Sequence, residues 1–459
     1  MGILEHPDIP KSIFGIQGFN PWNLLMLSVL IGWMRNKKEE RYAGYFPTHI
    51  KVLIYWFVFV IFISHIRLIA DMDGLIEWSI IRGSEPESVK SLFSEQIINS
   101  VKWLVPAFLL YKGCDTKERF KLAVFSILGI YIILGLQVIK WMPFGTITGG
   151  HDLSERSLKI LVNEIGYHRV NLSMMLAGAF WAVISSVKLL KEKKYIVLFY
   201  LLSFTVLLGQ MLTGGRTGYA TWAVVGLTLG AIKWRKIVFI TPFIAALVIF
   251  SVPGVYERLT HGIEGESVEM EINERAYEYE DVIGSLDDDS GVNLYAVTSG
   301  RSLAWPFVLE KISDGLLFGY GRMAMVNTGT TAFLWENLRE SFPHPHNAYL
   351  ELILDNGIIG AFPVMLLFLF FLLYSFRLFR DKQTTTYIVA GGVSLSLILA
   401  FLVASFGSQT FYPREGSVGM WCAIALMLRF YVNKHIAQVY NIPIKDGFLL
   451  QDEKRVNES

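Results

Sequence analysis

The residues in this chain best suited to chemistry are one histidine beside a helix-forming run and a set of arginines at glycine-rich turns. The histidine stands in His344-Pro345-His346-Asn347-Ala348-Tyr349-Leu350-Glu351. Pro345 disfavours helix at His344. Asn347 to Leu354 then forms a short helix, which Asn356-Gly357 stops. His346 thus falls at a helix N-terminus, whose positive dipole end favours neutral imidazole, the form a general base requires. A capped amphipathic helix docked at a membrane surface, with His346 merely satisfied, accounts for the same spacing.

The arginines suggest anion binding. Thr213-Gly214-Gly215-Arg216-Thr217-Gly218 is a turn with one guanidinium at the start of a helix. Backbone N–H groups and an arginine there suit phosphate oxygens. The plainer alternative is a tight hairpin that needs glycine for geometry, with Arg216 snorkelling to the interface. In Ser299-Gly300-Arg301-Ser302-Leu303-Ala304-Trp305, Arg301 precedes an amphipathic helix over 303–312, with Trp305 and Phe307 as interface anchors. A cation at a helix N-terminus opposes the dipole, so Arg301 requires an anionic partner: Glu310, Asp314 or a ligand phosphate. Gly319-Tyr320-Gly321-Arg322 offers another arginine, and Tyr167-His168-Arg169 and Pro413-Arg414 two more. His344, Arg169 and Arg414 complete the candidate set, each with an ordinary role as interface anchor or structural residue as the alternative.

The elements that must position these residues are apolar helices. Hydrophobic types make up 53% of the 459 residues and charged types 18%, below the roughly 25% charged of soluble domains. Runs at 16–34, 52–70, 97–112, 121–140, 170–187, 195–210, 217–232, 237–253, 358–376, 386–406 and 416–432 are read as spans, helical because lipid offers backbone groups no partners. The expected fold is an all-α polytopic membrane protein with about eleven (eleven to twelve) transmembrane helices. Lys and Arg concentrate in alternate connections, at 35–51, 112–121, 188–194, 233–236 and 377–382, which the positive-inside rule places in the cytoplasm. The connections 71–96, 141–169, 211–216, 254–357 and 407–415 then face outward. The division that follows is an N-terminal bundle of about eight helices (1–253), a large, partly helical outer loop (254–357), three further helices (358–432) and a cytoplasmic tail (433–459).

From 254 to 346 the outer loop carries sixteen Asp or Glu and six Lys or Arg, five of the six being Arg. An outward loop has no topological need for arginine, so these pair with local acids or bind an anion. The stretch Glu264–Asp289 is acidic enough to be a solvated excursion. Its Asp287-Asp288-Asp289-Ser290-Gly291 run lacks the spaced ligands and terminal Glu of a calcium loop, so no metal site is assigned. Two cysteines, Cys114 and Cys422, exclude a disulfide framework and read as structural. No cleavable signal peptide is apparent at the start.

Taken together, these residues resemble the O-antigen ligase superfamily, bacterial membrane glycosyltransferases that include O-antigen ligases, polysaccharide polymerases and protein O-oligosaccharyltransferases. The family signature is His, then Asn, Ser or Gln, nine residues, Gly, two residues, and Gly, Thr or Val; His346, Asn347, Gly357 and Gly360 match every fixed position. The Gly214-Gly215-Arg216 turn is similar to the family's small-residue–Arg turn. Arg301 with Trp305 is similar to its Arg-x-x-x-Leu element, with Trp in place of Leu. The resemblance covers the chain from about the fifth span onward. It implies a glycan donor on undecaprenyl diphosphate, a hydroxyl acceptor on a glycan, lipid core or protein, His346 as general base, and Arg216, Arg301 and, in reserve, Arg322 on the diphosphate. It further implies a bacterial inner-membrane location with the site facing the periplasm or exterior, inversion at the anomeric carbon, and no cofactor or nucleic acid. A lipid-linked glycan transporter or flippase is the rival class; it predicts ionisable residues at mid-span and paired halves, whereas the charges here sit at helix ends. A non-catalytic scaffold would leave His346 dispensable.

Overall fold

The structure, a computed structural model, describes residues 9–10, 12–17, 19–35, 46–143, 149–236, 238–239, 241–243, 246, 253–260, 301–338, 341–382, 384–407 and 409–450. In chain order its helices are α1 (Pro21–Arg35), α2 (Thr48–Ala70), α3 (Asp73–Ile81), α4 (Val89–Leu92), α5 (Asn99–Lys102), α6 (Val105–Gly113), α7 (Lys117–Trp141), α8 (Gly150–Ile165), α9 (Arg169–Ser186), α10 (Lys193–Leu212), α11 (Arg216–Ile232), α12 (Pro253–Thr260), α13 (Arg301–Asp314), α14 (Ala324–Asn327), α15 (Thr330–Leu338), α16 (Ala348–Phe379), α17 (Thr385–Ala404) and α18 (Val418–Tyr440). Two short antiparallel hairpins, pairing Ser12–Ile13 with Ile16–Gln17 and Ile444–Lys445 with Phe448–Leu449, are the strands among the described residues.

Six helices among these are long and apolar enough to cross a membrane: α2, α7, α9 with its extension to Leu189, α10, α16 and α17. Three more expected spans are present as helices but fall short of that description. α1 has 15 residues and α11 has 17, and α18 carries Arg429 and Lys434. The expected span 97–112 is not one helix: a π-helical stretch, Phe93–Ile98, joins α4 to α5, and α6 starts anew at Val105. The expected span 237–253 falls largely outside the described residues, as do the acidic stretch 264–289 and its aspartate run.

α9 and α17 form the centre of the bundle. In each, 83% of the most apolar stretch is buried, against 28% for α2. They pack on each other, and α10, α11, α16 and α18 surround them. The outer helices turn large apolar side chains outward, among them Phe59, Leu122, Leu136, Leu201, Phe362 and Leu369, as lipid-facing surfaces do. Cys114 and Cys422 are free and buried.

The two ends of the bundle differ. At one end, Lys233 Nζ donates to Phe379 O (2.7 Å) and Asp381 O (3.0 Å), and Lys434 pairs with Asp381 (3.1 Å). The segment after α18 folds back onto this end: Thr386 donates to Asp446 O, and Phe448 packs edge-on against Phe430. At the other end lie the starts of α9, α11 and α16 and the end of α17, where Ala348 N–H donates to Ser405 O (2.8 Å). The candidate residues gather at this second end.

Candidate active site

Helix α16 is built as the sequence indicates. Asn347 is its N-cap; Oδ1 accepts from Tyr349 N–H (3.0 Å) and Leu350 N–H (3.3 Å), which satisfies two of the helix's orphan donors. His346, just before the cap, has φ +52°, a left-handed conformation that costs a non-glycine residue about 1 kcal/mol or more. The helix breaks at Gly357, where φ is +62° and ψ −177°. A Cβ there would lie 2.2 Å from Leu317 O, so both conformation and space require glycine.

The break is stitched by a neighbouring strip of chain. Ile358 N–H donates to Leu316 O (2.9 Å) and Ile359 N–H to Leu317 O (3.3 Å); Tyr320 N–H donates to Leu354 O (2.9 Å) and Gly321 N–H to Asp355 O (2.8 Å). Groups freed by the interruption thereby regain partners. Arg67 holds the same strip through Phe318 O and Gly319 O, both at 2.6 Å. Gly360 is buried one turn beyond the break.

Arg322, at the end of this strip, is bound by two carboxylates on α16, Glu351 at 2.5 Å and Asp355 at 3.2 Å. It lies over the Tyr412 ring, 4.2 Å from the centroid. Expected on a diphosphate, Arg322 has its charge met by these carboxylates inside the protein. Arg414 is held by Asn171 Oδ1 (2.8 Å) and Gln409 Oε1 (3.3 Å).

Arg301 is brought to the histidines by α13. Trp305, one turn further on, is half-buried and donates from Nε1 to Pro345 O (3.1 Å). The tryptophan expected as an interface anchor thus ties α13 to the His346 loop, which gives a physical reason for Trp in the place of Leu. His344 and His346 face each other with ring centroids 4.1 Å apart, and Phe342 meets His346 edge-on at 5.9 Å.

The imidazole of His346 is pushed down to about 3, first by burial and then by the charges of His344, Arg301 and His168. The expected neutral form is obtained through burial and cationic neighbours more than through the helix dipole. His344 and His168 are lowered too, burial being the largest cause in both.

Helix α8 is the platform for the arginines. It lies in the outer connection 141–169, just before Tyr167-His168-Arg169. Its buried positions Gly150, Leu153, Ser157, Leu161 and Ile165 recur at helical spacing. Arg169, at the start of α9, donates from Nη1 to Ser154 Oγ (2.7 Å) and Ser154 O (3.2 Å), and more weakly to Ser157 Oγ (3.4 Å). The turn before Arg216 rests on the same stretch of α8: Gly214 has φ +66°, and a Cβ there would lie 3.2 Å from Leu153 Cγ and 3.3 Å from Ser157 Oγ. Gly215, the N-cap of α11, accepts from Ser173 Oγ at 3.5 Å.

The third element on this platform is α12, where Glu257 Oε2 accepts from Gly150 N–H (2.7 Å). Its Arg258 escaped notice individually in the sequence, being one of several outer-loop arginines with no motif around it. Arg258 and Arg301 both lie within electrostatic reach of Arg169 and of Arg216. Burial lowers the pKa of Arg258 and of Arg301, so an anion placed among them would be favoured.

Fold and site together describe a helical membrane-type protein with histidines and arginines converging at one end of its bundle. Residues 199–365 match the family described as O-antigen ligase, so this stretch of the chain is similar to that family. The matched stretch includes Arg216, Arg258, Arg301, Arg322 and the His346–Gly360 motif; α8, Arg169 and Arg414 lie outside it. A search of curated proteins finds no match.

Proposed function

We propose that this protein is a glycosyltransferase that moves a glycan from undecaprenyl diphosphate to an acceptor hydroxyl on the extracytoplasmic face of the bacterial inner membrane, as a ligase or polymerase of surface polysaccharide. The observation that carries the reading is the junction of base and cation: Trp305 fastens the Arg301 helix to the His346 loop, and Arg301 is within reach of both His346 and Arg216. The acceptor oxygen attacks the anomeric carbon from the side opposite the leaving group, inverting it. Its proton passes to the neutral imidazole of His346. The bonding electrons leave on the diphosphate, where Arg216 and Arg301 meet the growing charge. Fixed guanidinium groups give the leaving group the positive charge it needs without calling on a metal.

Transfer from a defined undecaprenyl-diphosphate glycan, measured with the purified protein, tests the proposal. His346→Ala is expected to lower kcat by about 10²–10⁴-fold, the usual contribution of general-base catalysis, while donor binding is retained. Arg216→Ala is expected to weaken donor binding. Full transfer by His346→Ala would overturn the base assignment. Offering polysaccharide, lipid-core and protein hydroxyls in parallel separates ligase, polymerase and protein-glycosylating activity.

A further inference from the structure

We propose that Arg258 is a phosphate-binding residue of the same site, held there by α12 and giving the site its preference for a lipid diphosphate over a lipid monophosphate. The inference rests on the donor assignment above. Three independent elements converge on the first two turns of α8: α9 through Arg169 on Ser154, the Arg216 turn through Gly214 on Leu153 and Ser157, and α12 through Glu257 on Gly150. The approach of α12 is close. An ideal Cβ at Gly150 would lie 3.0 Å from both Arg258 N and Glu257 Cβ, so a larger residue there would push α12 back by a few tenths of an ångström.

Glu257, the acid adjacent in sequence, is engaged on Gly150 N–H. Arg258 Nε is buried without a hydrogen-bond partner among the described residues. A buried guanidinium donor with no partner is costly, and its neighbours Arg169 and Arg216 are also cations. An anion is the ligand that satisfies the donor and relieves the repulsion at once.

The chemistry favours a diphosphate. A lipid-diphosphate glycan gains one negative charge when its glycosyl bond breaks, because the C–O electrons stay on the diphosphate oxygen while the acceptor's proton goes to His346. An additional guanidinium beside Arg216 meets that charge. A monophosphate lipid offers fewer oxygens and less charge, and gains less from the added arginine.

The test measures binding of undecaprenyl diphosphate and undecaprenyl monophosphate to the full-length protein in nanodiscs. Arg258→Gln is expected to lose about tenfold in affinity for the diphosphate, the scale of one hydrogen bond to a charged group, with a much smaller change for the monophosphate. Arg258→Lys, which keeps the charge but not the planar fork, is expected to fall between parent and Arg258→Gln, and decides the matter if the glutamine variant does not fold. A merely structural arginine would change both affinities together or neither. Parental selectivity in Arg258→Gln, or in Arg258→Lys where only that variant folds, overturns the inference. If Arg216→Ala then still loses diphosphate affinity, the donor assignment stands without Arg258; if the parent itself does not bind undecaprenyl diphosphate, the donor assignment falls as well.

Discussion

As the proposed base, His346 is kept neutral by burial and by its cationic neighbours, and this sets a pH signature. With its pKa pushed down to about 3, this residue would give kcat/KM no acid limb above about pH 4. The proposed diphosphate is anionic; bound nearby, it would stabilise the imidazolium and raise that pKa. The acid limb of kcat is therefore expected at higher pH than that of kcat/KM; coincident limbs in a pH–rate series would remove His346 from the role. Arg322 has two carboxylate partners within the protein. Arg322→Ala leaves Glu351 and Asp355 buried without their cation, at a cost of about 3–5 kcal/mol. It is expected to lower the thermal midpoint sharply while folded protein keeps its affinity for lipid diphosphate. Normal stability with lost affinity would return Arg322 to the donor site.

At the scale of elements, the interrupted helix α16 fixes where His346 sits. Asn347→Ala removes the cap for Tyr349 and Leu350 N–H and is expected to cost about 1 kcal/mol and to reduce transfer. Asn347→Ser, which still caps, is expected to recover most of both in melting and transfer assays. Gly357→Ala forces a Cβ against the Leu317 carbonyl in a left-handed conformation and is expected to destabilise by more than about 1 kcal/mol. If Gly357→Ala melts like the parent, the stitched break is not the constraint described. The cap and the break were legible because both are local: asparagine before an apolar run, and Asn-Gly inside it. The stitch was not, since the strip 316–321 pairs with α16 across a long stretch of chain and carries no periodicity of its own.

The bundle as a whole has one lysine-rich end and one end with arginines, histidines and glycine turns, which fits the alternation of charge along the chain. The sidedness can be checked with single cysteines, because the native Cys114 and Cys422 are buried and should stay silent. His151→Cys, at an exposed position on α8, is expected to react with a membrane-impermeant maleimide added outside intact cells. Lys191→Cys, exposed before α10, is expected to react only after permeabilisation. Reversed labelling would invert the orientation and place the candidate site in the cytoplasm.

The sequence by itself determined that the chain is helical and apolar and where most helices lie, because those properties are written in local periodicity and turn chemistry. That His346, Asn347, Gly357 and Gly360 form one motif, with Arg216 and Arg301 as companions, is what the resemblance to the O-antigen ligase superfamily implies. Tertiary structure decided what the arginines meet. Arg322 pairs with Glu351 and Asp355, while Arg169 and the segments that carry Arg216 and Arg258 pack on α8. The reason is physical: a guanidinium has the same sequence signature whether it meets a carboxylate or a phosphate, and only the packing of distant helices determines which lies within reach.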